Sequence, residues 1–538
     1  MKQLLLLLTF CGLILNAQQE RKSNVITDAG DAAKLLVAKQ KLLGGEYISA
    51  LNMYREVAIR NPKDASVKYY VGLCQFNLDK TSEAKETLLA ALQLDNPKPE
   101  THLVLGRIYQ LEGEFEKAVQ SFTQFRDSGA GSEEEKGEGA LLLSHSKNAI
   151  MYMKNPVNVK IENLGPNINS AYDDKNPCIS ADGSSLVFTT RRPATTNSPT
   201  DVEGDGKYFE DIYIAHTDSA GGFTRAEGVS KLINTAAHDA CTSISPDGTQ
   251  IFIYKNDASS RESRGGNIFV SKVVNDKWRK PVPLGKPINS SYWEGGACVS
   301  PDGKRYFFSS EREGGKGRSD IWMVEKLSKN EWGKPVNLDS VVNTPYDEAG
   351  MFLSPDGKTL FFCSNRPESM GSYDIFRTIY ENGKWSAPEN LGYPINSPAK
   401  EGQLTLSADA RYAYLSSARA GGLGENDIYS VDLADFAILE KDFKNAGNGL
   451  CILKGTIREG NEGYGLKGVD IQVKNSEGQT FNTTTGDLGE YFYTLPQGNY
   501  SITVSRKGYE TVKEEVQLKT AERGSSVTEK GYLLKKDK

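Results

Sequence analysis

The sequence predicts three folded parts in a row: an N-terminal α-helical repeat array, a five-bladed β-propeller and a C-terminal β-sandwich. Three observations carry this multidomain reading. Small and large residues recur every 34 residues in the first part. One strand-turn-strand motif recurs five times between about residue 163 and residue 432. From about Leu450 onward, apolar and polar residues alternate between glycine turns.

The helical part is assigned to residues 28–154. Ala50, Ala84 and Ala118 recur as small residues of a second helix, with Tyr54, Leu88 and Phe122 four residues later. Ala38, Gly72 and Gly106 stand where the paired helix packs closest, and Pro62 and Pro97 mark exits. An acidic, glycine-rich break from Gly129 to Gly139 precedes a capping helix from Ala140 to Met153. The pattern resembles three tetratricopeptide repeats, best matched by Leu105-Gly106-x-x-Tyr109 with Ala118 and Phe122. Such an array presents a peptide- or protein-binding groove, or else serves as a rigid spacer.

The propeller is assigned to residues 157–435. Asp182-Gly183, Asp247-Gly248, Asp302-Gly303 and Asp356-Gly357 sit in hairpin turns where glycine takes the left-handed position. The fifth copy is Asp409-Ala410, so a looser or different turn is expected there. Each turn is followed by a β-rich stretch and then by Asp211-Ile212, Asn267-Ile268, Asp320-Ile321, Asp374-Ile375 or Asp427-Ile428. Trp278, Trp332 and Trp385 mark a fourth strand, each with a proline three residues on. Copies start 65, 55, 54 and 53 residues apart, which suits four-stranded blades. The fifth copy lacks this fourth strand, whereas an orphan strand, Val157 to Leu164, precedes the first copy. Pairing the two closes the ring with five blades, six being the alternative count, and removes exposed sheet edges.

The last part, residues 449–536, contains strands at Ile452–Ile457, Gly468–Val473, Gly489–Tyr493 and Gly498–Val504. With Leu495-Pro496 and Lys507-Gly508-Tyr509-Glu510 it resembles the carboxypeptidase-regulatory-like domain, a small transthyretin-like sandwich. That resemblance implies a structural or adhesive module and no peptidase activity.

Composition narrows the setting. Residues 1–17 read as a secretory signal: Lys2, an apolar run from Leu4 to Leu15, then Ala17. The apolar run is too short to span a membrane comfortably, so no transmembrane segment is expected in the mature chain. Phe10 before Cys11 fits a lipoprotein cleavage site poorly. Cleavage removes one basic residue and leaves 63 basic against 70 acidic, a net charge of −7, which argues against nucleic acid. The six remaining cysteines have no close metal-ligand spacing; they read as small buried hydrophobes, with no disulfide pairing given by sequence.

Aligning the five copies exposes two recurrent polar sets. Thirteen residues before the turn Asp stand Asn169, Asn234, Asn289, Asn343 and Asn396, each followed by Ser or Thr. Eight residues before it stand Asp174, Asp239, Glu294, Glu348 and Glu401. These place a ring of carboxylates at one channel mouth, the candidate partner- or ligand-binding site. Converging charge would attract a cation, a basic side chain or a basic peptide. The alternative is that each carboxylate is satisfied within its own blade.

Arg192, Arg312, Arg366 and Arg419 accompany Asp211, Asp320, Asp374 and Asp427, while the second copy has Asp257 and Asn267. Their joint loss predicts an intrablade ion pair. An inserted loop from Pro193 to Glu210 carries Asp201, Glu203 and Asp205 without EF-hand spacing, so no metal is assigned. Hydrolase, P-loop and dinucleotide motifs are wanting, and the four histidines fall in different elements. The expectation is a non-enzyme without cofactor.

The order of these parts, with Leu-Ser-Pro-Asp-Gly-Lys-Thr-Leu-Phe-Phe at 353–362, resembles Bacteroidota envelope proteins with a TolB/WD40-like propeller. These include the PorE-like component associated with type IX secretion and gliding motility. The resemblance implies a periplasmic scaffold near the outer membrane that binds envelope proteins, including an outer-membrane β-barrel. The alternative is a propeller that senses a cation, glycan or peptide at its channel mouth. Relatives often continue into an OmpA-like peptidoglycan-binding domain, whereas this chain stops at Lys538, so direct cell-wall anchoring is not expected.

Overall fold

The computed structural model describes residues 29–195, 198–200, 207–219, 221–256, 266–274, 277–328, 331–436, 450–460, 463–519 and 526–537. Residues 1–17, read above as a secretory signal, and Asp201, Glu203, Asp205 and Asp257 lie outside them. The chain divides into two compact units, Met1–Ile150 and Met151–Lys538.

The first unit is built on helices α1 (Ala29–Leu43), α2 (Tyr47–Arg60), α3 (Ala65–Asn77), α4 (Thr81–Leu92), α5 (Glu100–Leu111), α6 (Phe115–Ser128) and α7 (Glu133–Lys154). The 34-residue pattern is its packing rule. A Cβ on Gly72 would lie 2.6 Å from the Leu88 side chain, and one on Gly106 would lie 2.4 Å from the Phe122 ring. Glycine therefore lets paired helices approach until the large residue of one fills the notch of the other.

Helix α7 begins at Glu133, earlier than the glycine-rich sequence suggests. Ser132 and Glu135 form a reciprocal cap: the Ser132 N–H donates to Glu135 Oε2 at 2.7 Å and the Glu135 N–H to Ser132 Oγ at 3.2 Å. Gly139, expected in the break, instead sits inside the helix, where a Cβ would come within 2.9 Å of Phe125.

The second unit contains five antiparallel four-stranded arrangements and a two-sheet module. The first sheet runs Asp174–Ile179, Ser185–Thr190, Asp211–His216 and Glu227–Gly228. The second, third and fourth sheets begin at Asp239, Glu294 and Glu348 and repeat that order. Their outer strand is split into two short pieces, such as Lys384–Trp385 and Glu389–Asn390, both pairing with the third strand.

The fifth sheet takes Glu401–Leu406, Tyr412–Ser417 and Asp427–Asp432 from one end of the unit and Lys160–Asn163 from the other. The orphan strand thus pairs antiparallel with the third strand, with Ile161 opposite Val431.

The first strands pack side by side in a closed series, each against the next, the fifth against the first. A backbone bond repeats at every junction. The N–H groups of Asp239, Glu294, Glu348, Glu401 and Asp174 donate to the carbonyls of Glu210, Gly266, Ser319, Tyr373 and Asn426.

The five hairpin turns share one geometry. The N–H groups of Gly183, Gly248, Gly303, Gly357 and Ala410 donate to the carbonyl of the serine three residues earlier, at 2.8 to 3.1 Å. The expectation of a different fifth turn is corrected: Ala410 adopts φ 50° and keeps it. Ser407 Oγ and the Arg411 N–H both donate to Asp409 Oδ1, which holds the chain in a conformation alanine disfavours.

The two-sheet module centres on Cys451–Glu459, which pairs antiparallel with Glu490–Leu495 and parallel with Val527–Glu529 and Tyr532–Leu534. The facing sheet is Thr480–Thr484, Asp470–Asn475, Gly498–Ser505 and Val512–Leu518. Leu453, Ile471, Tyr491 and Ile502 share the core between them.

This module docks on the hairpin-turn end of the ring. Leu450 N–H donates to the Ala408 carbonyl and Ala408 N–H to the Ala181 carbonyl, both at 2.8 Å. Ala181, Ala408, Leu450, Ile452 and Phe492 form a shared apolar contact. Lys454 Nζ lies 3.3 Å from Asp182, and Thr494 Oγ1 donates to the Pro355 carbonyl at 2.8 Å.

The strained fifth turn supplies a test of this geometry. Ala410→Gly removes the left-handed penalty and is expected to stabilise the second unit by about 1 kcal/mol in urea unfolding.

Candidate functional site

The five carboxylates of the predicted ring are all fully buried. Each is bound inside a repeated polar unit. The Ser or Thr that follows the recurrent Asn hooks the carboxylate twice. For example, the Thr344 N–H donates to Glu348 Oε2 at 3.0 Å and Thr344 Oγ1 donates to Oε1 at 2.6 Å. Ser170, Thr235, Ser290 and Ser397 do the same to Asp174, Asp239, Glu294 and Glu401.

A cation completes the unit. Arg192, Arg312, Arg366 and Arg419 reach Asp174, Glu294, Glu348 and Glu401 at 2.6, 3.2, 3.0 and 3.4 Å. Each Arg also donates Nη2 to the carbonyl just before the Asn: Ile168, Ile288, Val342 or Ile395. In the second sheet Lys255 replaces the arginine, pairing with Asp239 and donating to the Ile233 carbonyl at 3.1 Å.

The predicted pairing of these arginines with Asp211, Asp320, Asp374 and Asp427 is therefore corrected. Asp174 and Asp211 both flank Thr190 in the sheet register, so strand order alone brings either acid near Arg192. The hydroxyl hook and carbonyl select the inner acid.

The Asn residues have a backbone role. Asn396 Oδ1 accepts from Ile375 N–H at 2.7 Å while its Nδ2 donates to the Ile375 carbonyl at 2.9 Å. Asn169, Asn234, Asn289 and Asn343 repeat both bonds with Ile428, Ile212, Ile268 and Ile321. The side-chain amide thus stands in for one more strand residue along the third strand.

Burial pushes the Glu348 and Glu401 carboxyls upward, opposed by their hydroxyl, backbone and arginine partners. Each ring residue is thus buried inside the polar unit of its own sheet and is not exposed at a channel mouth.

The outer acids fall into two kinds. Asp320, Asp374 and Asp427 accept from loop N–H groups and from Asn337, Asn390 and Asn163. Burial beside Glu401 nonetheless raises Asp374 to about 7.

Asp211, half-buried, lines a cleft of about 390 Å³ between the first and second sheets. Its neighbour Glu210 is engaged: burial pushes that carboxyl up, but His238 and Lys175 outweigh it and hold it at about 2. The signal for this cleft in the sequence is Tyr208 and Gly228 standing where the third, fourth and fifth copies have Gly and Asn.

Among the described residues no group of three or more His, Cys, Asp and Glu could hold a metal. The six described cysteines are buried and free, with Cys178 and Cys241 sulfurs 3.5 Å apart. Among the same residues no helix is long and apolar enough to cross a membrane.

The carboxypeptidase regulatory-like domain model matches residues 452–528, the two-sheet module. A stretch of 88 residues is 36% identical to BBSome complex member BBS4 of Xenopus tropicalis, covering 16% of this chain and 17% of that protein. The Mus musculus counterpart is 34% identical over 86 residues, 16% of each chain. The chain therefore spans a minor part of those relatives.

Among solved structures, an endo-arabinase from Bacteroides thetaiotaomicron is 16% identical with a TM-score of 0.31, over 50% of this chain and 95% of that one. A β-xylosidase, RS223, is 14% identical with a TM-score of 0.33, over 51% and 94%. Scores this low assign neither fold nor activity.

The corrected ion pair is testable by a double-mutant cycle. Glu348→Gln with Arg366→Met should couple strongly, each single change costing about 3–5 kcal/mol because it strands a buried partner. Asp374→Asn with Arg366→Met should couple by less than about 0.5 kcal/mol in the same unfolding assay.

Proposed function

We propose that this protein is a non-enzymatic scaffold of the cell envelope that holds a protein partner on its helical array. On this reading the array is a set of three tetratricopeptide repeats with a capping helix, and the five sheets are the blades of a five-bladed propeller. The partner, on this reading, belongs to an outer-membrane assembly for secretion or gliding.

One observation carries the reading. Leu43, Ile48, Ile59 and Leu111 of the array are 75%, 67%, 80% and 68% exposed. Large aliphatic side chains left in water gain about 1.5–3 kcal/mol each when a partner fully covers them. The secretory character of residues 1–17 supports an extracytoplasmic setting and periplasmic localisation.

On this reading the ring of Asp174, Asp239, Glu294, Glu348 and Glu401 has a structural role and takes no ligand. Its acids are engaged by hydroxyls, backbone amides and cations of their own sheets.

The test is affinity purification of the full chain from native envelopes beside the double variant Leu43→Glu and Ile59→Glu. The scaffold reading expects a stoichiometric protein partner with the native chain, lost in the variant while helix content and Tm stay unchanged. Recovery of that partner by a folded variant, or no stoichiometric partner with the native chain, contradicts it.

A further inference from the structure

Three sheets share a plug that the first sheet lacks. In the third, fourth and fifth, the residue three before the outer Asp is Gly317, Gly371 or Gly424. Each presses on the next sheet's backbone: an added Cβ would lie 1.9 Å from Tyr346 O, 2.2 Å from Ala399 O or 2.1 Å from Tyr172 O. Only glycine fits, so the loop fills the crevice between successive sheets and its N–H groups cover the Asp. An Asn side chain closes the other side, as Asn337 Nδ2 does at 2.8 Å from Asp320 Oδ2.

The first sheet keeps the Asp and removes these partners. Position three before Asp211 is Tyr208, and the outer-strand position equivalent to Asn337 is Gly228. Among the described residues, Asp211 has no hydrogen-bond or ion-pair partner. Where the plug would sit there is the 390 Å³ cleft, walled by Tyr208, Phe209 and Tyr213 beside Asp211.

The basic groups nearby do not neutralise this acid. Arg192 is engaged by Asp174, Thr190 and the Ile168 carbonyl, with its guanidinium 5.1 Å from the Tyr213 ring. Lys231 stands exposed in the cleft lining. Burial, with Asp239 close by, raises Asp211 to about 6.

We propose that this cleft binds a cationic side chain, a lysine or arginine presented on a peptide. A half-buried carboxylate without a counter-charge gains a charge-assisted bond from such a group, and the Tyr208 and Phe209 side chains that line the cleft flank its aliphatic stem. The cleft volume lies within the range of small-ligand sites. A neutral polyol would leave the charge uncompensated. This inference stands apart from the helical array and survives if that surface binds nothing.

The test is calorimetric titration of the full chain with N-acetylated, C-amidated Gly-Lys-Gly and Gly-Arg-Gly, against equally capped Gly-norleucine-Gly as the uncharged control. The cationic peptides should bind about tenfold tighter than the control. Asp211→Asn should abolish the preference. Gly228→Asn restores the missing amide beside Asp211; an added Cβ there meets nothing closer than 3.5 Å, so this variant should fold normally and also lose the preference. Equal binding of charged and uncharged peptides, or a preference retained by folded Gly228→Asn, overturns the proposal.

Discussion

A carboxylate removed from water costs several kcal/mol unless its lone pairs and its charge are met inside the protein. This chain buries five of them at equivalent positions, and the second unit is organised around satisfying them. Each needs a hydroxyl and N–H from a Ser or Thr four residues earlier and a cation at or just past the end of the next strand. Those demands fix the loop entering each sheet, the hairpin that returns the cation, and the carbonyl against which it rests. The backbone N–H of the same acidic residue then bonds to the preceding sheet, so one residue joins intrasheet electrostatics to intersheet contact.

Closure follows from the same residue. Asp174 bonds through its side chain to Arg192 and through its backbone to Asn426, far along the chain. Lys160–Asn163 completes the fifth sheet from the opposite end, and Asn163 donates to Asp427 at 2.7 Å. The first and last segments of the ring thus hold each other. The two-sheet module covers the other end, where the hairpin turns point, and contacts the first, fourth and fifth sheets. The first sheet departs from the third, fourth and fifth in having Tyr208 at the position of their plug glycine, and a cleft lies beside Asp211.

Much of this was legible in the sequence because repetition exposes geometry. Gly72 and Gly106 recur at the repeat spacing because a Cβ there would strike Leu88 or Phe122. The five-fold Asn, Ser/Thr and acid spacing was legible, and so was a role for it within each sheet. The partner of each arginine was not, because Thr190 lies between Asp174 and Asp211 in the register and linear spacing favours neither. Lys255 escaped notice because it sits directly opposite Asp239, two residues before the arginine position of the other copies. The fifth turn was misjudged from Ala410 alone, since the Asp409 side chain imposes the shape. The Asp211 cleft required comparing what each outer acid touches, which spacing does not encode.

The central claim is that the five acidic residues lock a closed ring as one cooperative unit. Hydrogen exchange of the backbone amides of Asp174, Asp239, Glu294, Glu348 and Glu401 measures it most directly. A closed ring predicts that all five exchange with one free energy, equal to that of global unfolding of the unit, the Asp174 amide included. Exchange of the Asp174 amide at a lower free energy than the other four would mean that the first and fifth sheets separate independently, and would contradict the account.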